Sequence, residues 1–205
     1  MIEQINNIFD KLLEKVHGGI YAMISMAVGV SLIFIAMSQF PGYNMIDNYV
    51  SELGAGPGLS GPLFNIGLIL AGIIAIPFFV HLGRILKQEG IYDIVRKLAV
   101  GISIIACICL SIVGCFPATS GLSLVLHYYF AMGFFFSGLL FCFLFSVLMF
   151  KESKYSNIQV IIGCFVAITF AIFLILKYPL PEWIVFFSIV FWVLENGIYI
   201  YYKKF

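Results

Sequence analysis

The sequence predicts an all-α fold, a polytopic membrane bundle of six transmembrane helices with both termini on the cytoplasmic side. Three observations lead there. Hydrophobic residues make up 62% of the 205 positions and charged residues only 10%, against about 45–50% and about 25% in soluble domains. The apolar residues fall into six runs, each close to the roughly 20 residues that cross a hydrocarbon core. Ten of the 11 Lys and Arg fall in segments that six spans would place on one side, leaving only Lys177 on the other. By the positive-inside rule the crowded side is cytoplasmic.

The first 17 residues form a unit of their own. Ile2, Ile5, Ile8, Phe9, Leu12, Leu13 and Val16 recur at helical spacing opposite Glu3, Asn6, Asn7, Asp10, Lys11, Glu14 and Lys15. That pattern predicts an amphipathic helix lying in the membrane interface. It has neither the basic start nor the cleavage site of a signal peptide. Residues 18–205 form the membrane domain, with spans expected near 19–40, 62–86, 98–116, 122–149, 158–176 and 183–202. Ten-residue alternating segments are missing, which argues against a barrel.

Small residues four apart, Ser25 with Gly29 and Gly67 with Ala71 and Ala75, predict close helix packing. The cysteines, Cys107, Cys109, Cys115, Cys142 and Cys164, all lie in apolar runs and read as packing residues rather than a disulfide framework. A net charge of +1 leaves no basic surface for nucleic acid, so no nucleic-acid partner is expected.

The connection between the first two spans, residues 41–62, carries no cation. Met45, Ile46, Tyr49, Val50 and Leu53 form one helical stripe, and Asn44, Asp47, Asn48, Ser51 and Glu52 form another. A short outer-face helix ended by Gly54 follows, with glycines and prolines folding the chain back over the bundle mouth. Connections this elaborate usually carry a function.

The run from Asn48 to Gly54, with Leu63-Phe-Asn-Ile-Gly heading the second span, resembles the membrane family known as domain of unknown function 998. It is more distantly similar to the eukaryotic Frag1/DRAM/Sfk1 group. Leu126-His-Tyr-Tyr-Phe near the start of the fourth span and Glu195 in the last fit the same resemblance. Ser51, Glu52, Gly54, Asn65, His127 and Glu195 fall in the matching motifs, with Glu52 where the eukaryotic pattern favours Asp. The eukaryotic relatives are associated with lipid handling, which the resemblance carries over as an expectation.

Two ionisable residues stand out deep inside the apolar runs. His127 is about six residues, roughly 9 Å, below the outer end of its helix, and Glu195 about twelve residues, roughly 18 Å, below Trp183. Intramembrane ionisable groups are functional candidates, with buried structural roles as the alternative. His17 and His81 belong near the opposite surface from His127, so no metal site is expected from the three histidines, and no cofactor is indicated.

The preferred reading is a membrane lipid held at the outer mouth, with Ser51, Glu52, Asn65 and His127 at its head group. A second is a metal-independent acyl transferase or hydrolase with Ser51 as nucleophile, His127 as base and Asp47 or Glu52 orienting the ring. A third is a small proton-coupled transporter using Glu195. The expected location is the cell membrane.

Overall fold

The computed structural model describes residues 2–205, with side chains described for residue 4 and residues 7–205. It is all-helical, 82% helix, with no strand among the described residues. An N-terminal helix α1, Ile2–Lys15, precedes six helices long and apolar enough to cross a membrane: α2 Gly18–Ser38, α3 Ser60–Ile85, α4 Ile91–Cys115, α5 Gly121–Lys151, α6 Asn157–Leu176 and α7 Pro179–Lys203. The chain is a multi-pass membrane protein. Several helices run past the apolar stretches, α4 beginning at Ile91 and α5 reaching Lys151, because flanking polar residues continue the same backbone hydrogen bonding.

The six long helices pack in chain order, and α7 closes the ring against α2. Small residues make the contacts. Gly29 lies so near Ala71 that a Cβ on it would come within 3.0 Å of the Ala71 methyl, and Ser25 Oγ donates to the Ala71 carbonyl at 2.8 Å. At the α2–α7 seam, a Cβ on Gly197 would lie 2.5 Å from that of Ala22, so only glycine fits. In the middle of the bundle Trp192 is wholly buried among Phe79, Phe141 and Phe145. Such aromatic contacts are worth about 0.5–1.5 kcal/mol each beyond area burial. Cys107 and Cys142 belong to the same core.

Both termini reach one end of the bundle. His17 caps α2, its Nδ1 accepting from the Gly19 amide at 3.1 Å, which leaves Nε2–H to donate to the Phe205 main-chain oxygen at 3.0 Å. His81 Nε2 donates to the same oxygen at 3.2 Å. Asp10 of α1 pairs with Arg84 at the foot of α3 at 2.8 Å. The stripe positions Ile2 and Ile5 and the polar positions Glu3 and Asn6 lie outside the described side chains. This is the terminal end of the bundle, and its opposite is the roof end.

The roof is residues 39–59. Its helix is shorter and later than the two stripes predict: a 3₁₀ helix over Val50–Ala55. Side chains explain the difference. Asn44 Oδ1 accepts the amides of Ile46 and Asp47 at 3.0 and 2.9 Å, and Asn48 Oδ1 accepts that of Asn44 at 3.1 Å. These local bonds hold residues 44–48 as a turn in place of a helix.

Candidate functional site

The roof is fastened to the bundle at four places. Asn65, in the second turn of α3, donates from Nδ2 to the Gly54 carbonyl at 3.1 Å. Gly54 has to be glycine there, since a Cβ would sit 2.7 Å from Asn65 Oδ1 and 3.0 Å from the Phe64 ring. Trp183 Nε1 donates to the Asn48 carbonyl at 3.1 Å, and Tyr49 Oη donates to the Lys177 carbonyl at 2.5 Å. The fourth fastening is a carboxylate. Glu182, in the first turn of α7 and 7% exposed, accepts the Val50 amide on Oε2 at 2.6 Å, and the Ser51 amide and hydroxyl lie against the same group.

Behind this join lies a narrow cavity of about 140 Å³ between α2, α3, α4, α5 and α7. Val50, Ser51 and Glu182 form its roof end. From there it runs past Ile33 and Phe64 to Ser25, Ala75 and Phe79 at mid-bundle. Its wall is almost wholly apolar, and the small residues that bring α2 and α3 together also make room for it. A concave apolar space with a few placed polar groups at one end is the usual make-up of a small-molecule site.

The polar residues singled out in the sequence fall in different places. Ser51 lines the cavity. Glu52 accepts from Asn48 Nδ2 at 2.7 Å, and Asp47 from Asn44 Nδ2 at 3.0 Å, both within the roof. Asn65 holds the roof at Gly54. His127 is buried at the start of α5, and its Nδ1 donates to the Phe116 carbonyl at 2.9 Å, pinning the turn between α4 and α5. Among the described residues no hydrogen bond joins His127 to Ser51, Asp47 or Glu52. Glu195 lies in the terminal half of α7, beside Gln159. His17 and His81 stand 4.9 Å apart by ring centroid at the terminal end, and no cluster of metal-ligating side chains forms among the described residues.

Glu182 is the residue that sequence reasoning missed. An acidic residue in a helix's first turn is ordinary, because it suits the helix dipole. The available signal was its position next to Trp183, in a connection facing a roof that holds two further acids and no base.

Just outside the spans, the phenols of Tyr43 and Tyr49 are pushed up, chiefly by burial and then by the nearby carboxylates Glu182 and Glu52. For Tyr43 the neighbouring Trp183 indole pulls the other way, and the Tyr43 hydroxyl donates to the Tyr49 carbonyl at 2.7 Å. These rings are therefore neutral struts that tie the roof to α7.

Comparison with curated proteins gives no match, and comparison with solved structures gives none either. Residues 23–196, from α2 to the last turns of α7 and including the whole roof and cavity, match the family model described as protein of unknown function (DUF998), and the chain belongs to that family.

Proposed function

We propose that the protein binds a membrane lipid, one hydrocarbon chain filling the cavity and the polar end meeting Ser51 beneath the roof. The observation that carries this reading is the cavity itself: almost wholly apolar along its length, with Ser51 and Glu182 closing its roof end. The wall offers no set of donors and acceptors for a sugar, nucleotide or amino acid, whereas an acyl or isoprenoid chain asks only for apolar surface. Glu52 and Asn65 act in this reading as residues that position the roof.

In the same proposal the protein lies in the cell membrane with the terminal end in the cytoplasm. Lys11, Lys15, Arg84, Lys87, Arg96, Lys97, Lys151, Lys154, Lys203 and Lys204 all lie in or beside segments at that end. The roof then faces the outer leaflet, and the polar end of the ligand belongs to a lipid of that leaflet.

The test is native mass spectrometry of the full chain extracted in mild detergent with host lipids, comparing wild type with Ala106→Phe and Ser51→Ala. Ala106 is 2% exposed and lines the cavity at mid-bundle, so a phenyl group there occupies the space of the chain. The expected result is a defined lipid on the wild type, lost from Ala106→Phe and weakened in Ser51→Ala. Equal retention by a folded Ala106→Phe variant would overturn the reading.

A further inference from the structure

Away from the cavity, five buried polar atoms have no hydrogen-bond partner among the described residues: Tyr155 Oη, Gln159 Nε2, Trp192 Nε1, Glu195 Oε2 and Asn196 Oδ1. Orphaned groups are few in native proteins, and each is costly in a bilayer, where no bulk water relieves it. Five in one region call for a physical account.

They are gathered between α6, α7 and the turn after α5. Trp192, Glu195 and Asn196 follow at the i, i+3, i+4 spacing that puts side chains on one helix face. Trp192 Nε1 lies 3.0 Å from where a Cβ on Gly163 would stand, one turn along α6 from Gln159. Gln159 turns its side chain towards the Glu195 carboxyl and interacts with it, although neither Nε2 nor Oε2 reaches full hydrogen-bond geometry. Tyr155 packs on Tyr199 with ring centroids 5.2 Å apart and lies beside Glu195.

Two of these side chains are held with the unmet atom fixed in place. Gln159 Oε1 already accepts the Ser156 amide at 2.8 Å as part of the cap of α6, which turns Nε2 the other way. Asn196 Nδ2 donates to the Trp192 carbonyl at 2.9 Å, which leaves Oδ1 buried without a partner. Gln159 is 3% exposed, Asn196 and Trp192 are fully buried, and Glu195 is only partly so. Glu195 thus stands at the outer edge of the cluster.

The chemistry of the unmet set narrows the ligand. Gln159 and Trp192 offer N–H groups, Glu195 and Asn196 offer oxygens, and Tyr155 can do either. A bare metal cation would be repelled by the two N–H groups, and an anion by the carboxylate. Water serves both kinds of partner, and a proton on Glu195 converts one acceptor into a donor within the same network. The other titratable or charged groups around it are Tyr199 on α7, Glu152 and Lys154 in the turn after α5, and Lys203, whose Nζ lies 5.9 Å from the Tyr199 ring centroid. One further acid and two bases leave no fixed counter-ion against the carboxyl itself.

We propose that Tyr155, Gln159, Trp192, Glu195 and Asn196 form a hydrated proton-binding site, in which Glu195 takes a proton from water at the terminal end and returns it there. The proton arrives on Glu195 Oε2 from a hydronium ion and leaves to a water molecule, with no other bond made or broken.

Infrared difference spectroscopy on the full chain in lipid nanodiscs, titrated from about pH 4 to about pH 9, tests this. The expected result is a protonated-carboxyl band that fades as pH rises, shifts in D₂O, is absent in Glu195→Gln and moves in Gln159→Leu. A titrating band that survives Glu195→Gln overturns the proposal, as does its absence throughout the range or indifference to D₂O. If Glu195→Gln does not fold, Glu195→Asp keeps the carboxyl one methylene shorter. The band must then move, and an unmoved band overturns the site.

Discussion

The Glu182 carboxylate stands 2.6 Å from the Val50 amide nitrogen across 132 positions of sequence, joining the first turn of the last helix to the roof that follows the first span. A buried amide whose acceptor is removed bears its desolvation cost alone. Glu182→Leu is expected to lower stability by about 1–3 kcal/mol, read as a fall in the detergent unfolding midpoint. Glu182→Gln, which keeps an oxygen for Val50, falls less. Equal midpoints for wild type and Glu182→Leu would show that the roof does not depend on this bond.

Tyr43 links pH to the same join. Burial, with Glu182 and Glu52 adding to it, raises the phenol above its ordinary value, so the folded chain favours the neutral ring more than the unfolded chain does. The stability this contributes is complete below the unfolded value of about 10 and is lost as pH rises from there towards the folded value. Unfolding midpoints measured up the alkaline side should decline, and less steeply in Tyr43→Phe. Parallel slopes for the two proteins would remove Tyr43 from the account, leaving Tyr49 and Tyr155, whose phenols burial also raises.

His127 is expected to matter for the turn between α4 and α5 and not for lipid. His127→Leu removes the donor to Phe116 and should cost about 0.5–1.5 kcal/mol while leaving lipid retention in native mass spectra unchanged. Loss of lipid from a well-folded variant would instead place the ring at the ligand.

The α2–α7 seam tolerates no side chain at Gly197, which faces the Gly19 carbonyl and the Ala22 methyl. Gly197→Leu should cost about 1–3 kcal/mol by overpacking, or abolish the monodisperse peak in size-exclusion chromatography. A variant as stable as wild type would mean that the helices part there at little cost.

Six apolar runs of the right length, with cations massed on alternate connections, made the bundle legible, because lipid allows few other structures for such a chain. The small-residue stripes were legible for the same kind of reason: Ser25 and Gly29 meet Ala71 through a spacing that can be seen along one helix. What escaped was convergence across helices. Ser51 could be picked out because its connection was unusually elaborate, but its meeting with Glu182 depends on how the first and last spans come side by side. His127 and Glu195 stood out as polar groups in apolar runs. Periodicity along one helix does not say which neighbour it faces, so the bond of His127 to Phe116 and the company of Gln159 around Glu195 were hidden. The shortening of the roof helix arose from Asn44 and Asn48 capturing backbone amides, a local competition that a hydrophobic stripe does not register.

The wall supplied by α7 has a consequence for how the protein comes into being. The helices emerge in order during synthesis, and until α7 has entered the membrane the cavity is a trough open along one whole side, with Val50 and Ser51 lacking their carboxylate. Bilayer lipid has free access to that trough for as long as the last helix is unmade. Docking of α7 against α2 then shuts the side wall and latches the roof in a single event, so an occupant can be enclosed at birth. Separation of the first and last spans would reopen that side wall, which ties access to the cavity to the α2–α7 seam.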